Sequence, residues 1–148
     1  MSEVIAVQSV LPHAHPMILI DEVARKGEAN TVSTVRIGED AVFYDEEAGG
    51  VPSYVGIEYI AQTVAAHAGA GAKARGQPVR VGFLLGTRHY RCAVPYFVLG
   101  TKLTVRVQAL YQAPYVSKFE GTISLPEGRE LASCAVSVYL RDGTEGEP

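Results

Sequence analysis

The chain predicts an α+β fold in which one antiparallel sheet curls around a single long helix. Val51–Gly76 is the one long stretch with helical periodicity, and outside its apolar stripe it is mostly Ala and Gly. The other patterned segments are short, β-branched or alternating, as strands are. Their order is two strands, the helix, then four strands, and a run of strands after one helix favours a single antiparallel sheet. At 148 residues and 47% apolar content the chain suffices for one domain, residues 1–148, with a sizeable core.

Met1–Val10 is mildly apolar and fits either a helical turn or a strand. Leu11-Pro12-His13-Ala14-His15-Pro16 follows, and two prolines four apart exclude regular helix or central strand, so His13 sits on a constrained, irregular segment. Met17–Ile20 begins a buried strand that turns polar at Asp21-Glu22; Thr31–Ile37 is its β-branched hairpin partner across a Lys26–Asn30 turn. Gly38–Gly50 is an acidic loop.

The helix covers about residues 53–75. Pro52 and Ser53 suit its start, with Ser53 as the cap; Lys73 and Arg75 suit the negative end of the dipole, and Gly76 is a stop. Ile57, Ile60, Ala61, Val64, Ala68 and Ala72 form an apolar stripe, and the small residues elsewhere let neighbours approach closely, as for a buried central helix. Glu58 and Gln62 lie one turn apart on one face. A carboxylate on a buried helix is costly unless paired or used, which makes Glu58 the first functional candidate.

Val79–Leu85 fits a fully buried strand, and Gly86–Val94 continues it with Arg88, His89, Tyr90 and Arg91. Thr101–Ala109 alternates cleanly, Leu103, Val105, Val107 and Ala109 against Lys102, Thr104, Arg106 and Gln108. Tyr115–Leu125 and Leu131–Leu140 are two more strands around a turn at Pro126-Glu127-Gly128, and 141–148 is a polar, frayed tail. A sheet wrapped around one small-residue helix is the hot-dog arrangement.

The net charge of −3 argues against a nucleic-acid surface as the main function. No signal peptide is visible at the N-terminus, and no apolar run approaches the ~18 residues of a membrane span, so a cytoplasmic protein is expected. Cys92 and Cys134 stand in no metal or redox spacing and read as two buried free thiols.

Two motifs carry a family resemblance. Leu11–Asp21, LPHAHPMILID, resembles the LPHRYPFLLVDR segment of the β-hydroxyacyl-acyl-carrier-protein dehydratases of bacterial fatty acid synthesis. Val51–Gln62, VPSYVGIEYIAQ, resembles their xPGxxxxEAxAQ helix start, in the same order along the chain. The wording is closer still to the small dehydratase-like proteins of aryl-polyene gene clusters. The resemblance implies a hot-dog fold, His13 and Glu58 as the catalytic pair, and a site at a dimer interface with those two residues supplied by different subunits. The departures are Ser53 for the family's glycine, Ala14 and His15 for its Arg and Tyr, and a loose Pro95–Gly100 where it has PGD.

Removing water from a 3-hydroxyacyl thioester needs a base for the C2 proton and an acid for the hydroxyl. Neutral His13, with an ordinary pKa near ~6.5, suits the first task, and a protonated Glu58 the second. Gln62 can orient Glu58, and backbone donors at the helix start near Ser53 and Gly56 can meet the enolate oxygen. Arg88, Arg91 and Lys102 are candidates for docking an acidic carrier protein. No cofactor and no metal are called for. The partners are a 3-hydroxyacyl substrate on a carrier protein or coenzyme A, and a second hot-dog subunit in a homodimer or heterodimer.

Other readings stay open. His13 alone reads more readily as a structural than as a catalytic histidine, and Glu58 alone can be an ion-paired or solvent-facing carboxylate. His13, His15 and Glu58 could together hold a metal, although the flanking prolines and the lack of a further ligand speak against it. His67 points away from Glu58 and reads as packing or interface, His89 as a strand residue, and the basic cluster as a solvated face. A hot-dog thioesterase, with Glu58 activating water, and a weakly catalytic supporting subunit of a dehydratase heterodimer are the alternative functions. An enoyl-thioester hydratase is the same chemistry reversed.

Overall fold

The computed structural model describes the backbone of residues 2–5, 17–77 and 81–141, and the side chains of 5, 17–77 and 86–139. In chain order the strands are β1 (Ser2–Ile5), β2 (Glu22–Lys26), β3 (Asn30–Arg36) and β4 (Gly50–Pro52). A 3₁₀ turn (Ser53–Val55) then leads into α1 (Gly56–Ala74), and β5 (Val81–Cys92), β6 (Tyr96–Val98), β7 (Lys102–Gln112), β8 (Val116–Ser124) and β9 (Glu130–Arg141) follow. Seven strands make one sheet in the order β1-β2-β3-β7-β8-β9-β5, antiparallel throughout, and β4 pairs with β6 in a small second sheet. α1 lies against the sheet, chiefly against β3 and β7. This is the expected α+β hot-dog architecture.

Alternation explains the sheet's inner face. Leu103, Val105 and Val107 of β7 and Phe119 and Ile123 of β8 are buried beside Ile60 and Val64 of α1. Two glycines permit the close approach of helix and sheet. A Cβ on Gly121 of β8 would collide with Ile60, and one on Gly56 with Tyr90, Ile123 and Phe97.

The buried face of α1 is only partly the anticipated stripe. Tyr59, Ile60, Thr63, Val64, Ala66, His67 and Ala70 are buried, whereas Ile57, Ala61 and Ala68 are half-buried. The inward face carries polar groups because β3 matches them. Ser33 Oγ lies 2.6 Å from Thr63 Oγ1, and Thr31 Oγ1 lies 2.7 Å from His67 Nδ1. Thr63 already donates to the Tyr59 carbonyl at 2.7 Å, so Ser33 is the donor to Thr63. His67 is thus a packing residue, as anticipated, with its ring edge-on to Phe119. Burial, then the Arg25 charge, pushes its pKa down to about 4, with bonds to Gln112 and the Glu28 backbone acting the other way.

Several expectations are corrected. The first hairpin strand is Glu22–Lys26, not Met17–Ile20, because Gln62 takes the backbone groups of Met17 and Leu19 and the ladder starts only where Asp21 N donates to Thr34 O at 2.8 Å. Ser53 does not cap the helix with its side chain; it lies in the 3₁₀ turn, and α1 begins three residues later. The two strands expected at 79–85 and 86–94 are one strand where described, β5 (Val81–Cys92), with irregularities at Leu84/Gly86 and Arg88/Arg91. The side chains expected to be buried in its first half lie outside those described. His89 takes a positive φ of 57° at the second irregularity, so it is more than an ordinary strand residue. Cys134 is buried, its thiol pKa raised to about 11 by desolvation, but Cys92 is only half-buried. Gly76 does stop the helix: with φ 68° it sends its N–H to Lys73 O and that of Gln77 to Ala72 O, a Schellman ending. Residues 142–148 lie outside the described set.

Two outcomes follow. Gly121→Ala should lower stability by ~1–3 kcal/mol in denaturant unfolding, since Ile60 has no room to move. For His67, the unfolded imidazole titrates near ~6.5 and the folded one at about 4. Between these values only the unfolded chain holds the proton, so stability is lost as pH falls through that window. Unfolding at pH 4.5 and pH 7 should show a loss in the wild type, up to about 3 kcal/mol, that is absent in His67→Gln.

Candidate active site

The site is built where the 3₁₀ turn hands over to α1. Gln62, fully buried one turn beyond Glu58, makes three hydrogen bonds with its side-chain amide. Its Nε2 donates to the Met17 carbonyl at 2.7 Å and to Glu58 Oε1 at 3.1 Å, and its Oε1 accepts from the Leu19 N–H at 2.8 Å. One side chain therefore fixes the carboxylate of half-buried Glu58 and the incoming chain at Met17–Leu19. The i, i+4 spacing makes the first contact possible; only the fold supplies the other two.

The turn itself is held by backbone bonds. Ser53 N donates to Pro95 O at 2.9 Å, and the Tyr90 hydroxyl donates to Ser53 O at 2.6 Å. The amides around Gly56 turn back onto the Ser53 and Tyr54 carbonyls. Gly56 thus serves chiefly by leaving room for Tyr90, Phe97 and Ile123. Desolvation raises the Tyr90 phenol well above its ordinary pKa, which keeps it a neutral donor. Tyr90 is a residue of this turn that sequence reasoning passed over, since nothing in its spacing links β5 to the helix start.

His13 and His15 lie outside the described residues, so the structure places Glu58, Gln62, Ser53 and Gly56 together without placing the proposed base. Arg88 and Arg91 are exposed on β5, on either side of Tyr90. Lys102 is not with them: it opens β7, separated from β5 in the sheet by β8 and β9, and meets Glu22 at 3.8 Å in an exposed ion pair. Among the described residues no group of His, Cys, Asp and Glu is placed to hold a metal ion, and no helix is long and apolar enough to cross a membrane.

A hollow of about 330 Å³ lies beside Ile18 and Leu19, with Asp21, Val35, Val51 and Tyr59 among the residues that line it. Burial, then the Asp21 charge, raises the Tyr59 phenol well above its ordinary pKa. Glu58 and Gln62 do not line this hollow.

The family model of the ApeP dehydratases, ApeP-like, matches residues 5–146. The chain belongs to the ApeP-like dehydratase family. Among solved structures, this dehydratase is similar to a chain of the dehydratase heterocomplex ApeI:P from Xenorhabdus doucetiae. The identity is 30% and the TM-score 0.89, over 95% of this chain and 94% of that one. It also shares its fold with a hypothetical thioesterase from Streptococcus pneumoniae solved with coenzyme A (12% identity, TM-score 0.63, 83% and 84% of the two chains). The PaaI protein of the E. coli phenylacetic acid degradation operon is a similar case (14%, 0.60, 81% and 82%). No curated protein matches the chain by sequence. The family match and the ApeI:P structure bear out the resemblance read from the two motifs, while the thioesterase structures, at such low identity, speak only for the fold.

Gln62→Leu leaves the Met17 carbonyl and Leu19 amide without their partner, and should lower stability by ~1–3 kcal/mol in denaturant unfolding while preserving the far-ultraviolet circular dichroism of the sheet and helix.

Proposed function

We propose that this dehydratase removes water from a 3-hydroxyacyl thioester, carried by a carrier protein or coenzyme A, to give the trans-2-enoyl thioester, with His13 as base and Glu58 as acid. The observation that carries the assignment is the Gln62 bridge. It ties Glu58 to the Met17 carbonyl, and Met17 follows His13 by only four residues. Four residues of chain span at most about 14 Å, a tether that lets His13 reach the carboxyl group of its own chain or that of a partner subunit.

His13 takes the C2 proton, and the electron pair moves toward the thioester carbonyl as an enolate. Collapse of the enolate forms the C2–C3 double bond while Glu58 gives its proton to the departing hydroxyl, which leaves as water. Proton exchange with solvent restores both groups. The acyl chain runs beside Ile57 and Ala61, two of the half-buried residues of α1, and Arg88 and Arg91 face the carrier protein. The reaction needs no cofactor or metal, and the cytoplasm is where its thioester substrates are made.

The heterocomplex of the ApeI:P structure favours a second arrangement, in which this chain pairs with a related hot-dog subunit and supports its catalysis. A homodimer is the alternative pairing.

The test is dehydration of a 3-hydroxyacyl carrier-protein thioester, followed by intact-mass spectrometry for wild type, His13→Ala and Glu58→Gln. The acid–base assignment predicts turnover in the wild type and a loss of at least about 10²-fold in each folded variant. Release of free acid would assign a thioesterase instead. Turnover only after addition of a partner subunit, unaffected by either substitution, would assign the supporting role.

A further inference from the structure

Toward the other end of α1, about 14–25 Å from Glu58 along the helix, lies a hollow of about 310 Å³ that the dehydration does not use. Arg25, His67, Gly71, Arg75, Gln112 and Pro114 are among its walls, and no carboxylate among the described residues lines it. Arg25 faces inward because it shares a face of β2 with buried Val23. Its Nε is buried and has no hydrogen-bond partner among the described residues.

The two arginines converge. Measured from where a Cβ on Gly71 would stand, Arg75 Nη1 is 3.3 Å away and Arg25 Nη2 is 3.6 Å away. A guanidinium stays charged at any working pH, so two at one point repel unless an anion lies between them. They are not needed to cap the helix, because backbone N–H groups of Arg75, Gly76 and Gln77 already meet the carbonyls of Gly71, Ala72 and Lys73. Arg75 Nε is held by Gln77 Oε1 at 3.2 Å, which leaves its outer nitrogens for another acceptor.

We propose that this hollow binds a phosphate group, as free phosphate or as the end of an organic phosphate monoester, between Arg25 and Arg75. A carboxylate satisfies one guanidinium fork, whereas the several oxygens of a phosphate can meet two forks arriving from different elements. The Gln112 amide offers a further donor at the rim, and Ala68, Ala113 and Pro114 offer an apolar wall for an organic substituent. His67 is a built-in reporter: the Arg25 charge already reaches its ring, so an anion beside Arg25 shifts the ring resonances.

The probes are inorganic phosphate and phenyl phosphate, titrated at low ionic strength into the purified protein in its isolated oligomeric state. Calorimetry and the His67 ring resonances are the two readouts. Saturable binding that moves the His67 signals is expected, weakened about 10-fold or more in Arg25→Gln and in Arg75→Gln. Tighter binding of phenyl phosphate identifies a monoester site, and equal binding a free-phosphate site. Arg75 is exposed in the last turn, so Arg75→Gln decides the matter even if Arg25→Gln folds poorly. No saturable binding of either probe, or unchanged binding in folded Arg75→Gln, overturns the proposal.

Discussion

The Gln62 side chain is the constraint on which the catalytic end of the molecule depends. A primary amide offers two donors and an acceptor in one plane, and here all three directions are used: the Met17 carbonyl, the Leu19 N–H and the Glu58 carboxylate. The group is fully buried, so its bonds compete with little water and their geometry is rigid. Residues 17–20, the described part of the segment it holds, form no strand. Without Gln62, two backbone groups would lack their partner and Glu58 would lose the group that orients it.

The rest of the fold delivers that amide to the right place. Matched hydroxyls and the His67 ring lock α1 to β3 at Thr31–His67 and Ser33–Thr63, which sets the helix along its axis as well as against the sheet. Gly121 and Gly56 let helix, sheet and the β4–β6 flap close up, and the Tyr90 hydroxyl pins the turn that precedes Glu58. The polar seam has an energetic consequence at acid pH, because His67 must remain neutral where it is buried.

Much of this was legible in the sequence, for reasons that differ by element. β7 was plain because one of its faces is buried and the other solvated, so alternation survives from Leu103 to Val107. The helix and its glycine stop were plain because small residues and Gly76 have few other uses. Its buried face was harder to see, since Thr63 and His67 look polar until Ser33 and Thr31 are seen opposite. The start of β2 was misplaced because an apolar run says nothing about whether its backbone bonds a strand or a side chain 43 positions away. Glu58 and Gln62 stood out by local spacing, but Tyr90 and the Arg25–Arg75 pair join distant segments, and no local pattern records such contacts.

The most direct test of the Gln62 bridge as the organiser of catalysis is the steady-state kinetics of dehydration by Gln62→Leu beside the wild type. If the bridge orients Glu58 and the chain that carries His13, kcat falls by ~10–100-fold while KM stays within about 2-fold, the mark of lost transition-state geometry rather than lost binding. A folded variant that turns over at the wild-type rate would contradict it.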